Sequence, residues 1–167
     1  MKTTNILESA MVVFAIAFSF CACDNHVDTP KEDTKIVSSV VTTTTTISRD
    51  FTRVSTIHLL VDGEVIKTFT AEDTVCTTTN TIKDFPQNVT YVLDGKLNAD
   101  AVDTTSKYTF DYHFAYTITS YNAAGEKVAE KPASDSSGSF TYSGKKVAKF
   151  IEAFFPFELG KVEVINQ

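Results

Sequence analysis

A strict alternation of side chains over residues 108–119 constrains the fold of this chain more than any other feature. The large members of the alternation are Tyr108, Phe110, Tyr112, Phe114, Tyr116 and Ile118. Successive side chains of a β-strand point to opposite faces, so all of these residues lie on one face if the segment is a strand. Clean alternation is typical of an antiparallel sheet with one packed face and one face in water.

The period of two dominates from Ile36 onward and predicts further strands. We expect them at 36–47, 55–61, 64–70, 75–82, 89–97, 139–143 and 161–165, with another beginning at Val128. Asp62-Gly63 is the dipeptide most typical of tight hairpins, and Asp94-Gly95 repeats it. Residues 122–127 (NAAGEK) supply a third predicted turn.

Residues 145–155 break this period. Val147, Phe150, Ile151 and Phe154 fall at i, i+3, i+4 and i+7, the spacing of an amphipathic helix that Pro156 would end. Lys145 and Lys146 at its start oppose the helix dipole, so a strand pair is the alternative for this segment.

Many short antiparallel strands in about 130 residues, a common domain size, predict a sandwich or a barrel. The chain has 167 residues, of which 43% are hydrophobic, enough for one domain with a real core. We predict an all-β, immunoglobulin-like antiparallel sandwich over residues 36–167, with one short helix. A lipocalin-like barrel is the alternative, although the sequence lacks the Trp of the lipocalin signature.

The amino terminus has the composition of an export signal. Lys2 precedes the apolar run Ala10–Phe20, which is shorter than the roughly 20 residues of a membrane-spanning helix. Phe20-Cys21-Ala22-Cys23 resembles a bacterial lipobox, with small Ala22 just before the cysteine. The resemblance is to lipoprotein signal peptides of Gram-negative bacteria. It implies a signal peptide at 1–22 and a membrane anchor on an acylated Cys23; an ordinary secretory signal is the alternative.

Residues 24–35 (DNHVDTPKEDTK) contain four acids and a single apolar side chain. Such a segment has too little apolar surface for a core, so Cys23–Lys35 is predicted to be the lipidated cysteine with an acidic tether. The acidic stretch resembles surface-export signals of Bacteroidetes-type lipoproteins, which implies an outer-membrane location. A plain solvated linker explains it equally well, and the surface or periplasmic face stays undecided.

Motifs for catalysis are absent from the sequence. It contains no Gly-rich phosphate loop, no zinc-type Cys spacing and no GxSxG elbow. A net charge of −6 argues against nucleic-acid binding. His58 and His113 are expected to be structural, and Cys76 a small core residue. We therefore predict no enzyme, no cofactor and no metal.

Two sets of residues are candidate sites in the body of the chain. The stripe Tyr108, Phe110, Tyr112, Phe114 and Tyr116 forms either a binding face or the sandwich core. Asp73-Thr74-Val75 and Asp103-Thr104-Thr105 resemble the O-glycosylation pattern of Bacteroidetes-type exported proteins, which implies glycans on Thr74 and Thr104.

The expected function is non-catalytic binding or adhesion by a membrane-anchored lipoprotein whose ligand is an unidentified protein or glycan. One alternative is a carrier of a small apolar ligand in a lipocalin-like barrel. The other is a structural or fimbria-associated subunit that assembles through an edge strand. The Thr-rich strand at 36–47, which contains the run Thr42–Thr46, is the candidate for that edge.

Overall fold

The computed structural model describes residues 34–165. The predicted signal peptide, Cys23 and most of the acidic tether therefore lie outside the described residues. The elements in chain order are β1 (Ser38–Ile47), α1 (Arg49–Val54), β2 (Ser55–Val61), β3 (Glu64–Phe69), β4 (Val75–Ile82), β5 (Gln87–Leu97), a 3₁₀ turn (Ala99–Ala101), β6 (Lys107–Tyr121), β7 (Lys127–Ser143), α2 (Gly144–Phe154) and β8 (Phe157–Val164).

The strands form two four-stranded sheets packed as a sandwich, as predicted. The first sheet has the order β4-β1-β6-β7 and the second β3-β2-β5-β8, with every pairing antiparallel. The barrel alternative is wrong. Among the strands within residues 34–165, only β2–β3 and β6–β7 are hairpins of consecutive strands, because the other connections cross from one sheet to the other. An up-and-down barrel needs each strand to pair with the next one.

The two Asp-Gly dipeptides differ in structure. Asp62 and Gly63 form the predicted β2–β3 turn, with φ values of 51° and 88°. The predicted turn at Asp94-Gly95 is wrong, because both residues lie inside β5. Gly95 is needed there for space: an added Cβ would lie 2.7 Å from a ring carbon of Phe155. Dense packing, rather than a turn, explains this glycine.

Each helix follows a strand in chain order, α1 after β1 and α2 after β7. The predicted helix at 145–155 is confirmed as α2, which ends just before Pro156, so the strand alternative there is wrong. Helix α1 was not predicted; it is only six residues long and buries Phe51 and Val54. No helix within residues 34–165 has the length and apolarity needed to span a bilayer.

The Thr-rich segment is a central strand rather than an edge. β1 pairs with β4 on one side and with β6 on the other, so the predicted edge role of 36–47 is wrong. Thr43 and Thr45 of β1 face the interior, where Thr43 is hydrogen-bonded to Thr78 at 2.7 Å. A hydroxyl can be buried at a central position when a neighbouring strand supplies its partner.

Polar groups continue across the interior near β4. Asn80 Nδ2 on β4 donates to the hydroxyl of Tyr91 on β5 at 3.0 Å, and this bond joins the two sheets. We call Thr43, Thr78, Asn80 and Tyr91 the hydroxyl seam. Other buried polar side chains among the described residues are Ser39, Thr45, Ser55, Ser120 and Asn122. The apolar part of the core includes Val41, Ile57, Leu59, Val89, Leu93, Phe110, Phe114, Val147, Ile151 and Val162.

Candidate functional site

The predicted aromatic stripe on β6 is divided between core and surface. Tyr108, Phe110 and Phe114 are buried, whereas Tyr112 and Tyr116 are partly exposed. The Tyr108 hydroxyl accepts a hydrogen bond from the backbone N–H of Asp103 at 2.8 Å, which ties the loop before β6 to the strand. Most of the stripe is therefore core, and the exposed aromatic surface of the molecule involves other elements.

That surface is where α2 lies beside the sandwich. β7 and β8 are the outer strands of their sheets, and α2 connects them. Phe150 of α2 lies 4.9 Å from Phe110 and 4.5 Å from Tyr142 of β7, between ring centroids. Phe154 lies 4.6 Å from Phe157 at the start of β8. We call the connected rings the aromatic cluster: Phe51, Phe110, Tyr112, Phe140, Tyr142, Phe150, Phe154, Phe155 and Phe157.

The aromatic cluster is buried on its inner side only. Phe51 and Phe110 are fully buried, whereas Tyr142, Phe150 and Phe154 are partly exposed. Ring pairs at these separations add about 0.5–1.5 kcal/mol each beyond area burial. The cluster therefore anchors α2 and also leaves ring surface in contact with solvent.

Small residues allow this close packing. A Cβ on Gly144, the first residue of α2, would collide with the backbone oxygen of Asp103, so the helix starts in contact with the loop before β6. Gly138 of β7 plays a similar part, because a Cβ there would meet the Tyr112 ring. Ser143 occupies the N-cap position of α2 and makes no side-chain cap hydrogen bond.

The solvent side of α2 is basic. Lys145, Lys146 and Lys149 are exposed, and among the described residues none of them takes part in an ion pair. The acidic residue on the helix is Glu152. We call the three lysines the lysine face. Lys146 and Phe150 are four positions apart, so they occupy neighbouring positions on the surface of the helix.

A groove of about 540 Å³ lies at the other end of the sandwich. It opens between the beginning of β7 and the end of β8, with Lys131 on one side and Glu163 on the other. Buried Ile118 and Val164 are among its lining residues. A smaller recess of about 360 Å³ lies beside α2 and is lined by Lys96, Glu152 and Phe155, among others.

Three described groups have displaced pKa values. Hydrogen bonds from the Ser106 and Thr105 hydroxyls and the Thr105 N–H lower the pKa of Asp103 to about 2. Burial raises the pKa of the Cys76 thiol and that of the Tyr91 hydroxyl. Asp103 therefore makes a polar turn, and the Cys76 thiol is less ionised than an ordinary cysteine.

The histidines expected to be structural lie in different sheets. His58 Nδ1 is 2.9 Å from the Thr68 hydroxyl, and His113 Nε2 is 3.8 Å from Asp135. Within residues 34–165, no group of three His, Cys, Asp or Glu side chains is close enough to hold a metal ion.

The two predicted glycosylation sites lie outside regular strands. Thr104 is exposed in the turn before β6. Thr74 is partly buried just before β4, and its carbonyl oxygen accepts a hydrogen bond from Ile47 N–H at 3.0 Å. Both hydroxyls remain candidate sites, of which Thr104 is the more accessible.

Comparisons with protein-family models, curated proteins and solved structures give no match for this chain. The functional argument therefore rests on the residues and their geometry. The aromatic cluster was missed as a surface feature because its rings come from α1, β6, β7, α2 and β8. The signal available in the sequence was the series of phenylalanines at 150, 154, 155 and 157 beside three lysines.

Proposed function

We propose that the protein is a non-catalytic cell-envelope lipoprotein, held to the outer membrane through acylated Cys23, with a binding or adhesion domain of the immunoglobulin-like kind. The lipobox resemblance of residues 20–23 supports the anchor. Two or three acyl chains hold a protein on a bilayer without a spanning helix.

The observation that carries the binding role is the polarity of the sandwich. The chain enters it at the end where Val37 N–H is hydrogen-bonded to Tyr121, next to the β6–β7 turn. α1 follows the last residue of β1, and α2 follows Ser143, which pairs with the first residue of β6. Both helices therefore lie at the opposite end, about 30 Å away along β1.

This polarity gives the two ends of the domain separate roles. The end where the chain enters is the one reached along the chain from Cys23. The opposite end carries the lysine face and the exposed side of the aromatic cluster, and we propose it as the binding end.

Palmitate labelling in the native host tests the anchor. We expect label in the wild type and in Cys21→Ala, and none in Cys23→Ala, because only the lipobox cysteine accepts the diacylglyceryl group. Cys76→Ala, a substitution inside the domain, is the matched control and should keep its label. Label that persists in Cys23→Ala, or that is missing from the wild type, would refute the anchor. Protease treatment of intact cells then shows on which membrane face the domain lies.

For the assembly alternative, the candidate strand is an outer strand of a sheet rather than the central strand β1. Among the described residues the outer strands are β3, β4, β7 and β8, and each has one unpaired backbone edge. A subunit that added a strand would use one of these rather than β1. The carrier alternative loses the closed barrel on which it depended.

A further inference from the structure

We infer that the lysine face of α2, with the exposed rings beside it, binds an acidic polysaccharide, a sugar chain that carries carboxylate or sulfate groups. This inference rests on the proposed binding role of the domain and names its ligand class. The site consists of Lys145, Lys146 and Lys149 with Phe150 and Tyr142.

The charge of α2 contrasts with that of the whole chain. The chain has a net charge of −6, whereas α2 contains three lysines and one acidic residue. Lys145 and Lys146 lie in the first turn, where the helix dipole disfavours positive charge by a few tenths of a kcal/mol. Neither lysine has an ion-pair partner among the described residues. Their position therefore costs helix stability, and an anionic ligand would offset that cost.

Nearby charges leave the surface basic. Lys107 pairs with Ser143 directly before the helix and adds a fourth exposed lysine. Two acidic residues lie near these lysines: Glu152 on the helix and Asp103 in the loop that contacts Gly144. The Asp103 carboxylate already accepts three hydrogen bonds from Thr105 and Ser106. The net charge of this surface remains positive.

The rings point to a sugar chain rather than to a small anion. The rings of Tyr142 and Phe150 are 4.5 Å apart and partly exposed, and Phe150 lies one helical turn from Lys146. Their rings offer flat apolar area to the C–H faces of sugars, while the lysines pair with acidic groups along the chain. A repeating polymer engages several lysines at once, which raises affinity without any new kind of contact.

An anionic bilayer also attracts a basic surface. The lysine face lies at the end of the sandwich opposite to the end where the chain enters. Binding to anionic lipid is therefore the competing outcome that the experiment must separate.

The test uses the full chain immobilised through a carboxyl-terminal tag, so that it works with or without an acyl group on Cys23. Polygalacturonate and dextran sulfate are the acidic probes, and dextran is the neutral probe. We expect the wild type to bind both acidic polymers at low salt, more weakly as salt rises, and not to bind dextran. The triple variant Lys145→Gln/Lys146→Gln/Lys149→Gln should lose about tenfold or more in affinity. Phe150→Leu should weaken binding less.

The matched control is Lys83→Gln/Lys131→Gln/Lys161→Gln, which removes the same charge from exposed positions outside α2. It should bind within about twofold of the wild type, and equal melting temperatures show that both variants are folded. Equal losses in the two triple variants, or no binding of the wild type to either acidic polymer, would overturn the inference. So would a preference for phosphatidylcholine–phosphatidylglycerol vesicles over pure phosphatidylcholine vesicles that exceeds polymer binding and is lost in the α2 triple variant.

The outcomes separate this inference from the proposed function. Cys23 labelling together with absent polymer binding refutes the ligand class and leaves the anchor intact. Polymer binding by a chain that takes up no label at Cys23 refutes the anchor and leaves the site intact.

Discussion

Two regions of the sandwich interior are held together by different chemistry. Near β4, the hydroxyl seam links Thr43, Thr78 and Asn80 of one sheet to Tyr91 on β5 of the other. On the side where β7 and β8 are the outer strands, α2 and the aromatic cluster fill the space between the sheets. A hydrogen-bonded seam depends on matched partners, whereas an aromatic cluster depends on buried area and shape.

The largest effect is expected from Phe51→Ala. The Phe51 ring is fully buried and lies 4.9 Å from Phe110 and 5.4 Å from Phe154. Its loss leaves a cavity under α2 and should lower the free energy of unfolding by about 3–5 kcal/mol in urea titration. Phe155→Ala, which removes a partly exposed ring, should cost clearly less. Equal losses of unfolding free energy in the two variants would show that the burial of a ring does not set its contribution to the stability of the cluster.

A smaller and non-additive effect is expected in the hydroxyl seam. Thr43→Val or Thr78→Val alone removes the bond between these two hydroxyls and leaves the other one with the Tyr91 hydroxyl as its side-chain partner. Each variant should cost about 1–2 kcal/mol. The double variant replaces both partners by apolar groups of similar shape and should cost less than the sum of the two singles. A double-mutant cycle by urea unfolding measures this coupling. Simple additivity would mean that the pair contributes little to the seam.

The smallest effect is expected from Asp103, which lies in the loop that α2 contacts. Its pKa is about 2 in the folded protein against 3.8 for an unperturbed aspartate, so the folded state favours the ionised form. The resulting stabilisation is present above pH 4 and is lost as the pH falls toward 2. Asp103→Asn should therefore flatten the fall in melting temperature over this range. An unchanged pH profile would contradict the Thr105 and Ser106 hydrogen bonds.

Local patterns predicted the strands well where one face is buried. The alternation at 108–118 became β6, and the helical spacing at 145–155 became α2. The same local signals failed where a residue serves a distant contact. Asp94-Gly95 has turn composition, but Gly95 is small because the ring of Phe155 lies against it. A pattern read over a few neighbouring residues cannot reveal a contact between residues 60 positions apart.

The candidate site was predictable in part. The stripe at 108–116 correctly marked an aromatic-rich region, yet it contributes mainly core, since three of its five rings are buried. Whether Tyr112 and Tyr116 reach solvent depends on where β7, β8 and α2 lie around β6, which periodicity does not encode. The Thr-rich strand shows the same limit, because edge and centre positions have the same alternation.

By itself, the sequence determined that this chain has a β-rich body with an amphipathic helix at 145–155, because side-chain periodicity is a local property. It also supplied the lipobox resemblance on which the proposed anchor rests. Only the tertiary structure decided which strands pair, that β1 is central, and that the lysine face and exposed rings meet at the end opposite to where the chain enters. Those outcomes depend on contacts between residues far apart in the chain, because packing joins surfaces that no local pattern brings together.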